Sequence, residues 1–297
     1  SQYAQKGRFF GLKIIQQIPK IYRAIKYEQK WLKKVVADYQ INAVISDNRF
    51  GLYHKNIPTV FITHQLLIKT PFGGWIERAL QKINYRFINK YSACWIPDFS
   101  GDNNLSGELA HPATLPEHTT YIGCLSRFEP KTDVEKRYDL LVLISGPEPQ
   151  RSSLEKLVLE QVKSLQLNAL IVSGKPGPLP RAQIAPGITQ VNHLNASELN
   201  EAMLASGMVL SRSGYTTLMD LAKLNKKAIL IPTPGQSEQV YLGEYLMKKG
   251  YFYSLPQEHF NLKTALEEAA RFPFKSFHHD QDMDQYKQVV QQFVQSL

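Results

Sequence analysis

Hydrophobic and polar positions follow two rhythms along this chain. Over residues 11–39, Leu12, Ile15, Ile18, Ile21, Tyr22, Ile25, Trp31, Leu32 and Val35 recur every three or four positions with Lys and Arg between them. That period is helical, and Pro19, which removes a backbone donor, predicts a pair of amphipathic helices broken there. Short apolar runs follow at 43–45, 59–62 and 93–96, with a strongly periodic helical stretch at 75–89 between the second and third. Each run is bounded by turn or polar residues, so the three read as buried parallel strands of an α/β unit. Residues 100–118, rich in Gly, Asn and Pro, read as an irregular loop.

A fuller alternation begins at Tyr138. Strands are expected at 140–144, 169–172, 189–191, 208–210, 228–231 and 251–253. Helices are expected at 152–165, 197–205, 216–224 and 238–249, with two more closing the chain. Strand and helix in this order predict a doubly wound α/β domain. The charged segment 128–137, containing Pro130, reads as the linker, which gives an N-terminal domain of 1–127 and a C-terminal domain of 128–297 whose last helix packs back on the first. A Rossmann-like domain begins with a strand feeding a Gly-rich loop, whereas this chain opens on helices and offers three strands in its first half. The N-terminal domain is therefore expected to lack its first strands, and a start at Ser1 instead of Met points the same way.

Composition changes this picture in two respects. Of 297 residues, 43% are hydrophobic and 21% charged, which excludes a largely disordered chain. No apolar run reaches the roughly 18 to 20 residues that a membrane span needs, and the N-terminus lacks the order of a signal peptide. The net charge is +9. Nine basic residues against Glu28 and Asp38 put seven of those charges in the first 40 positions, which raises an anionic surface or partner. Cys94 and Cys124 form no C-x-x-C pair, so a disulfide framework or zinc site is not expected and a cytoplasmic setting is.

Candidate chemistry gathers in three turns at strand ends of the second domain, where open α/β sheets bind ligands. In Ser145-Gly146-Pro147-Glu148-Pro149-Gln150-Arg151, a helix start and Arg151 could hold an anion, or the prolines could simply redirect the chain. In Ser211-Arg212-Ser213-Gly214-Tyr215-Thr216-Thr217, Gly214 gives backbone room and the threonines supply hydroxyls, with Asp220 about one turn on; the alternative is a plain N-cap. The third turn, 231–239, starts a helix bearing Gln236, Glu238 and Gln239, groups suited to a hydroxyl-rich ligand. Asp280-Gln281-Asp282, after His278 and His279, offers a D-x-D. Ahead of a terminal helix, however, it reads as a solvated helix start, so no metal is expected. No G-x-G-x-x-G follows a strand, which disfavours a dehydrogenase.

Taken together, these turns resemble the C-terminal domain of glycosyltransferase family 28, the donor domain of the MurG-like GT-B enzymes. The likeness is closest over 191–250, in SRSGYTTLMDLAKLNKKAILIPTPGQSEQVYLGEYLMKKG, with weaker similarity at the Ser-Gly turn, at 123–127 and around Thr63-His64-Gln65. The resemblance implies that Arg212, Ser213, Gly214, Tyr215, Thr216 and Thr217 surround the donor's diphosphate and sugar. It implies further that Asp220 binds ribose at a position where the family uses Glu, and that His193 and the backbone of Leu194 hold uracil. Gln236, Glu238 and Gln239 would meet the donor sugar, although the family's second Gln is Val240 here. Ser145 and Gly146 match the opening of a Gly-Gly-Ser-Gln-Gly loop from which Pro147, Glu148 and Pro149 depart, and Arg127 matches a phosphate-reaching Arg.

In such a transfer a base deprotonates the acceptor hydroxyl, and the leaving nucleoside diphosphate is neutralised by Arg and a helix dipole instead of a metal. The family carries its base in a Gly-rich N-terminal loop that this sequence does not contain. His64 is the remaining candidate on the acceptor side, with Gln65, Asp47 and Asn48, although it aligns with a Glu of the family's His-Glu-Gln-Asn run. The resemblance implies an α/β GT-B fold of two Rossmann-like domains facing a cleft. It implies an inverting, metal-independent transfer from a nucleotide sugar, UDP-linked and GlcNAc-like, to a lipid or glycan acceptor. No cofactor is expected, since the nucleotide sugar is a substrate. The basic N-terminal helices suggest peripheral docking on an anionic membrane inner face; nucleic acid is not expected, for want of any RNA-binding aromatic or helix-turn-helix pattern. Alternatives are a nucleotide-sugar hydrolase or epimerase on the same fold, or a basic membrane-docking module without catalysis.

Overall fold

The computed structural model describes residues 2–70, 74–177, 181–277 and 282–297, and of residues 2–18 the backbone only. The chain divides into two compact units, Ser1–Gly123 with Asp284–Leu297, and Cys124–Met283. The division falls a few residues before the charged stretch 128–137, whose start is held in the second unit, where Asn200 donates to the Glu129 carbonyl at 3.1 Å.

The first unit opens with α1 (Gln2–Tyr39), one continuous helix with Pro19 inside it. The expected break is thus corrected. A proline removes its own donor and strains one turn, and the intact hydrogen bonds on either side carry the helix through. Its C-terminal half docks by Ile25 and Leu32, both buried. Glu28 accepts from Arg49 Nη2 at 2.6 Å and from the Gly51 amide at 3.1 Å, while Gln29 donates to the carbonyls of Gly51 and Tyr53. The remaining face leaves Tyr22, Tyr27, Trp31 and Tyr39 at least half exposed.

Strands β1 (Val44–Asp47), β2 (Thr59–Ile62), β3 (Ala93–Ile96) and β4 (Thr119–Tyr121) pair in parallel in that order, with α2 (Gly74–Ile88) between β2 and β3. β4 has no sequence signature. Thr-Thr-Tyr is too short to show a period, and only its register on β3, from Cys94 against Thr119 to Ile96 against Tyr121, makes it a strand. The helix Gln285–Gln295 belongs to this unit: Gln285 donates to the Tyr121 carbonyl at 3.0 Å, and Phe293 meets Trp95 edge to face at 5.4 Å.

The second unit alternates β5 (Tyr138–Leu143), α3 (Gln150–Val162), β6 (Ala169–Val172), β7 (Ala182–Ala185), β8 (Ile188–Val191), α4 (Ala196–Leu204) and β9 (Ser206–Ser211). It continues with α5 (Tyr215–Lys223), β10 (Ala228–Leu230), α6 (Ser237–Lys249), β11 (Tyr253–Ser254) and α7 (Leu262–Arg271). The sheet order is β11-β10-β9-β5-β6-β8-β7, parallel throughout except for the β7–β8 hairpin, whose first strand the sequence pattern does not announce. Leu140, Leu141, Val142, Leu170 and Ile171 are fully buried, as parallel strands covered on both faces require. From β5 the chain builds outward through β6 and β8, then returns to the other side of β5 to lay down β9 and β10. The topological switch point therefore lies between β5 and β9, and it selects the turns after those two strands as the place for a ligand.

Candidate functional site

At the switch point the turns after β5, β9 and β10 converge. Gly146 follows β5 with φ +108°, a region that L side chains rarely occupy, so the bend at this position calls for glycine. Behind it, Gly174 after β6 runs so close to β5 that a Cβ would lie 2.2 Å from the Ile144 carbonyl oxygen.

Arg212 holds the three turns together. It is 1% exposed, and its guanidinium donates to the carbonyls of Ile231 (3.1 Å), Pro232 (3.2 Å) and Gln150 (2.8 Å). Burial pushes its pKa down to about 10, so near neutral pH it remains a cation bonded to neutral carbonyls. Ser213 is fully buried and donates to the Gln239 carbonyl at 2.7 Å, and Tyr215 is buried as well. At the crowded end of a central strand the side chains of Arg212, Ser213 and Tyr215 thus turn inward and shape the loop, so that what this turn can present to a ligand is its backbone and the threonines. Thr216 is exposed, Thr217 half-buried, and Gly214 opens on free space, with nothing within 4 Å of where a Cβ would be.

Helix starts differ across the sheet. α4 is closed by an Asn195–Glu198 capping box and α7 by Asn261, whereas α5 begins at Gly214, which has no side chain to cap it, and Gln236 makes no side-chain cap to α6. An uncapped start directs backbone N–H groups and the positive dipole end outward, which suits an anion. α3 is the contrary case. Glu148 accepts from the Ser152 amide at 3.2 Å and from Arg151 Nε at 2.7 Å, so the helix already carries its own carboxylate. Arg151 is buried and further committed to Glu155 and the Ser173 carbonyl. Of the two readings of this turn, an anion held by Arg151 is therefore set aside, and Ser145 and Gly146 stay exposed at its tip.

Gln239 accepts from the Thr233 amide at 2.9 Å and donates to Gln236 Oε1 at 2.7 Å, so its amide braces the third turn from within. Glu238 is half-buried at the start of α6. Asp220 is half-buried on α5 and accepts from Ser126 Oγ at 2.6 Å. Desolvation raises its pKa to about 6, against the opposing pull of Ser126 and the exposed Arg127. Ser126 lies in the stretch 123–127 but was not among the expected site residues, because it meets Asp220, 94 positions on, only through the fold. His193 (exposed) and Leu194 (buried) follow β8 on the same sheet edge, but β6 separates β8 from β5.

In the first unit, the carboxyl ends of adjacent strands bring Asp47 and Asn48 beside His64 and Gln65. Thr63 Oγ1 donates to Asn48 Oδ1 at 3.4 Å, and Gln65 is fixed by the Thr63 hydroxyl and by Asn84. Beyond β3, the fully buried Asp98 gathers the amides of Phe99, Leu105 and Ser106, the Ser106 hydroxyl and, at 3.3 Å, His111 Nε2. This hub orders the loop that the sequence pattern left irregular. Of the D-x-D stretch, His278, His279 and Asp280 lie outside the described residues. Asp284 begins the last helix and pairs with Lys287 at 2.7 Å. Among the described residues no group of three or more His, Cys, Asp or Glu could hold a metal ion.

Two α/β units in one chain, each built on a parallel or mostly parallel sheet, have the architecture of a GT-B fold. The model of the glycosyltransferase family 28 C-terminal domain matches residues 145–293, half of the chain, and the chain belongs to that family. An uncharacterized glycosyltransferase of Methanopyrus kandleri is 20% identical over 287 residues, covering 89% of this chain and 78% of that protein. The UDP-N-acetylglucosamine–N-acetylmuramyl-(pentapeptide) pyrophosphoryl-undecaprenol N-acetylglucosamine transferase of an Exiguobacterium species is 24% identical over 212 residues, covering 68% of this chain and 57% of its own length. Among solved structures, MurG of Acinetobacter baumannii matches with TM-score 0.53 at 14% identity, over 94% of this chain and 78% of that one. The calicheamicin glycosyltransferase CalG4 matches with TM-score 0.61 at 10% identity, over 98% and 84%. At these identities the structural likeness is one of fold.

Proposed function

We propose that this glycosyltransferase takes its sugar from a nucleoside diphosphate donor, uridine-linked and GlcNAc-like, and passes it with inversion to a hydroxyl of a lipid or glycan acceptor. The observation that carries the reading is the open start of α5 at the switch point, backed by the Arg212 cation. As the glycosidic bond breaks, negative charge grows on the leaving diphosphate; first-turn amides and a buried cation stabilise that charge without reorganising. In this reading no metal ion is required, Asp220 accepts from the ribose diol, Arg127 reaches the phosphates, and Thr216, Thr217, Gln236 and Glu238 face the sugar. The acceptor is assigned to the first unit, with His64, Gln65, Asp47 and Asn48 along its strand ends. α1 suits an anionic membrane surface, since Lys20, Arg23, Lys26, Lys30, Lys33 and Lys34 are all exposed among its half-exposed aromatics.

Calorimetric titration with UDP and UDP-GlcNAc, in the presence of EDTA, tests the donor half of this reading. Saturable binding of both is expected, and no binding of any nucleoside diphosphate sugar would overturn it. Release of free sugar at the full turnover rate without an acceptor would make the enzyme a hydrolase.

A further inference from the structure

Thr233 lies between Pro232 and Pro234 in the turn after β10, a setting that reads in sequence as a bend and nothing more. In the fold it is 1% exposed, and its hydroxyl meets no hydrogen-bond partner. A buried orphan hydroxyl is costly, and a valine would fill the same space without that cost. Its direction is informative: apart from the adjoining residues, the Cβ that Gly146 lacks would find Thr233 Oγ1 at 3.9 Å and no other atom within 4 Å. The buried hydroxyl is therefore directed at the Gly146 bend, across the end of β9, from the opposite side of the switch point. Its backbone amide is already taken by Gln239 Oε1, which leaves the hydroxyl as the side-chain group this residue can offer. The Arg212 guanidinium ties the Pro232 carbonyl to that of Gln150, so both turns share one buried positive charge. The one nearby carboxylate on the turn after β5, Glu148, is engaged by Arg151 and Ser152.

We infer that Thr233 Oγ1 donates a hydrogen bond to a non-bridging oxygen of the donor's diphosphate, over the bend at Gly146, so that the turn after β10 helps to hold the leaving group. The inference rests on the nucleotide-sugar reading and adds a contact that it does not require. A phosphate oxygen fits because it is an acceptor, anionic, and small enough to reach between a glycine bend and a buried hydroxyl. A sugar hydroxyl in the same place would gain nothing from the charge beneath.

The test compares Thr233→Val and Thr233→Ser with the unsubstituted full chain, by calorimetry with UDP, by competition with uridine, and by thermal unfolding without ligand. Thr233→Val is expected to weaken UDP about tenfold, the size of one lost hydrogen bond to a charged acceptor. It should leave uridine unchanged and unfold at the same temperature as the parent or higher, while Thr233→Ser should bind UDP like the parent. UDP binding by Thr233→Val equal to that of the parent would overturn this inference alone. So would an equal loss of UDP and uridine with a lowered unfolding temperature, which would make Thr233 structural. Failure of the parent chain to bind UDP at all would remove the nucleotide-sugar reading and this inference with it.

Discussion

Replacing Arg212 by methionine removes the guanidinium while keeping most of the side-chain volume. Three hydrogen bonds to carbonyls at 2.8 to 3.2 Å disappear. Bonds to a charged group contribute roughly 1.5 to 3 kcal/mol each, so the loss is about 4.5 to 9 kcal/mol. Against this stands the relief of burying an unneutralised cation. Burial lowers the pKa to about 10. A shift of that size makes the relief on the order of 3 kcal/mol at any pH well below 10. The net cost of R212M is then on the order of 1 to 6 kcal/mol, carried by the turns that the side chain ties together. Tryptophan fluorescence would be blind to much of this, because Trp31, Trp75 and Trp95 all belong to the first unit. Hydrogen–deuterium exchange is the assay, followed in peptides covering 145–151 and 231–236. Exchange there should quicken by about fivefold or more in R212M, from the energies above, and by less in R212K, which keeps the charge but not the fork. Exchange in both segments within twofold of the parent would refute the idea that Arg212 is the tie.

Three further outcomes are expected. Gly174→Ala forces a Cβ to 2.2 Å from the Ile144 carbonyl at φ +65°, so the thermal midpoint should fall by the equivalent of about 3 kcal/mol or more; an unchanged midpoint by circular dichroism would mean that the two strands are not packed this closely. For Asp220, the folded pKa of about 6 exceeds the unfolded value of 3.8. Between those values the folded state holds more protons, and stability should drop by about 3 kcal/mol in total as pH rises through the window. Asp220→Asn should flatten that slope in a pH series of thermal midpoints, and an identical slope would refute the assignment. Reversing Lys26, Lys30 and Lys33 to Glu should cut co-sedimentation with anionic vesicles about 100-fold or more, at about 1 kcal/mol per basic residue; binding by the parent that ignores anionic lipid content would count against membrane docking.

Much of the architecture was legible in the chain because buried parallel strands are continuous apolar runs. The run 59–62 is β2, 93–96 is β3 and 169–172 is β6, residue for residue, and α3, α4, α5 and α6 lie within about three residues of their expected bounds. The strands that escaped notice, β4 and β7, are short and partly exposed, and exist only through their register on a neighbour. Pro19 misled for the opposite reason: a local rule for ending helices gave way to the hydrogen bonds of a 38-residue helix. The turns that meet at the switch point could likewise be located from Gly, Ser and Pro at strand ends.

Which way their side chains point was another matter. Arg212 and Arg151 are both arginines in turns beside helix starts, and both read as phosphate ligands. Packing sends one inward to bind carbonyls and closes the other on Glu148 and Glu155. Thr233 offered no signal at all, since a buried orphan hydroxyl is a property of neighbours far apart in the chain. Periodicity, which acts between residues a few positions apart, thus determined the elements, their order and the edge of the sheet where a ligand belongs. Burial and hydrogen bonding between β5, β9 and β10, set only when the sheet assembles, decided which side chains turn inward to brace the turns and which stay exposed at the sheet edge.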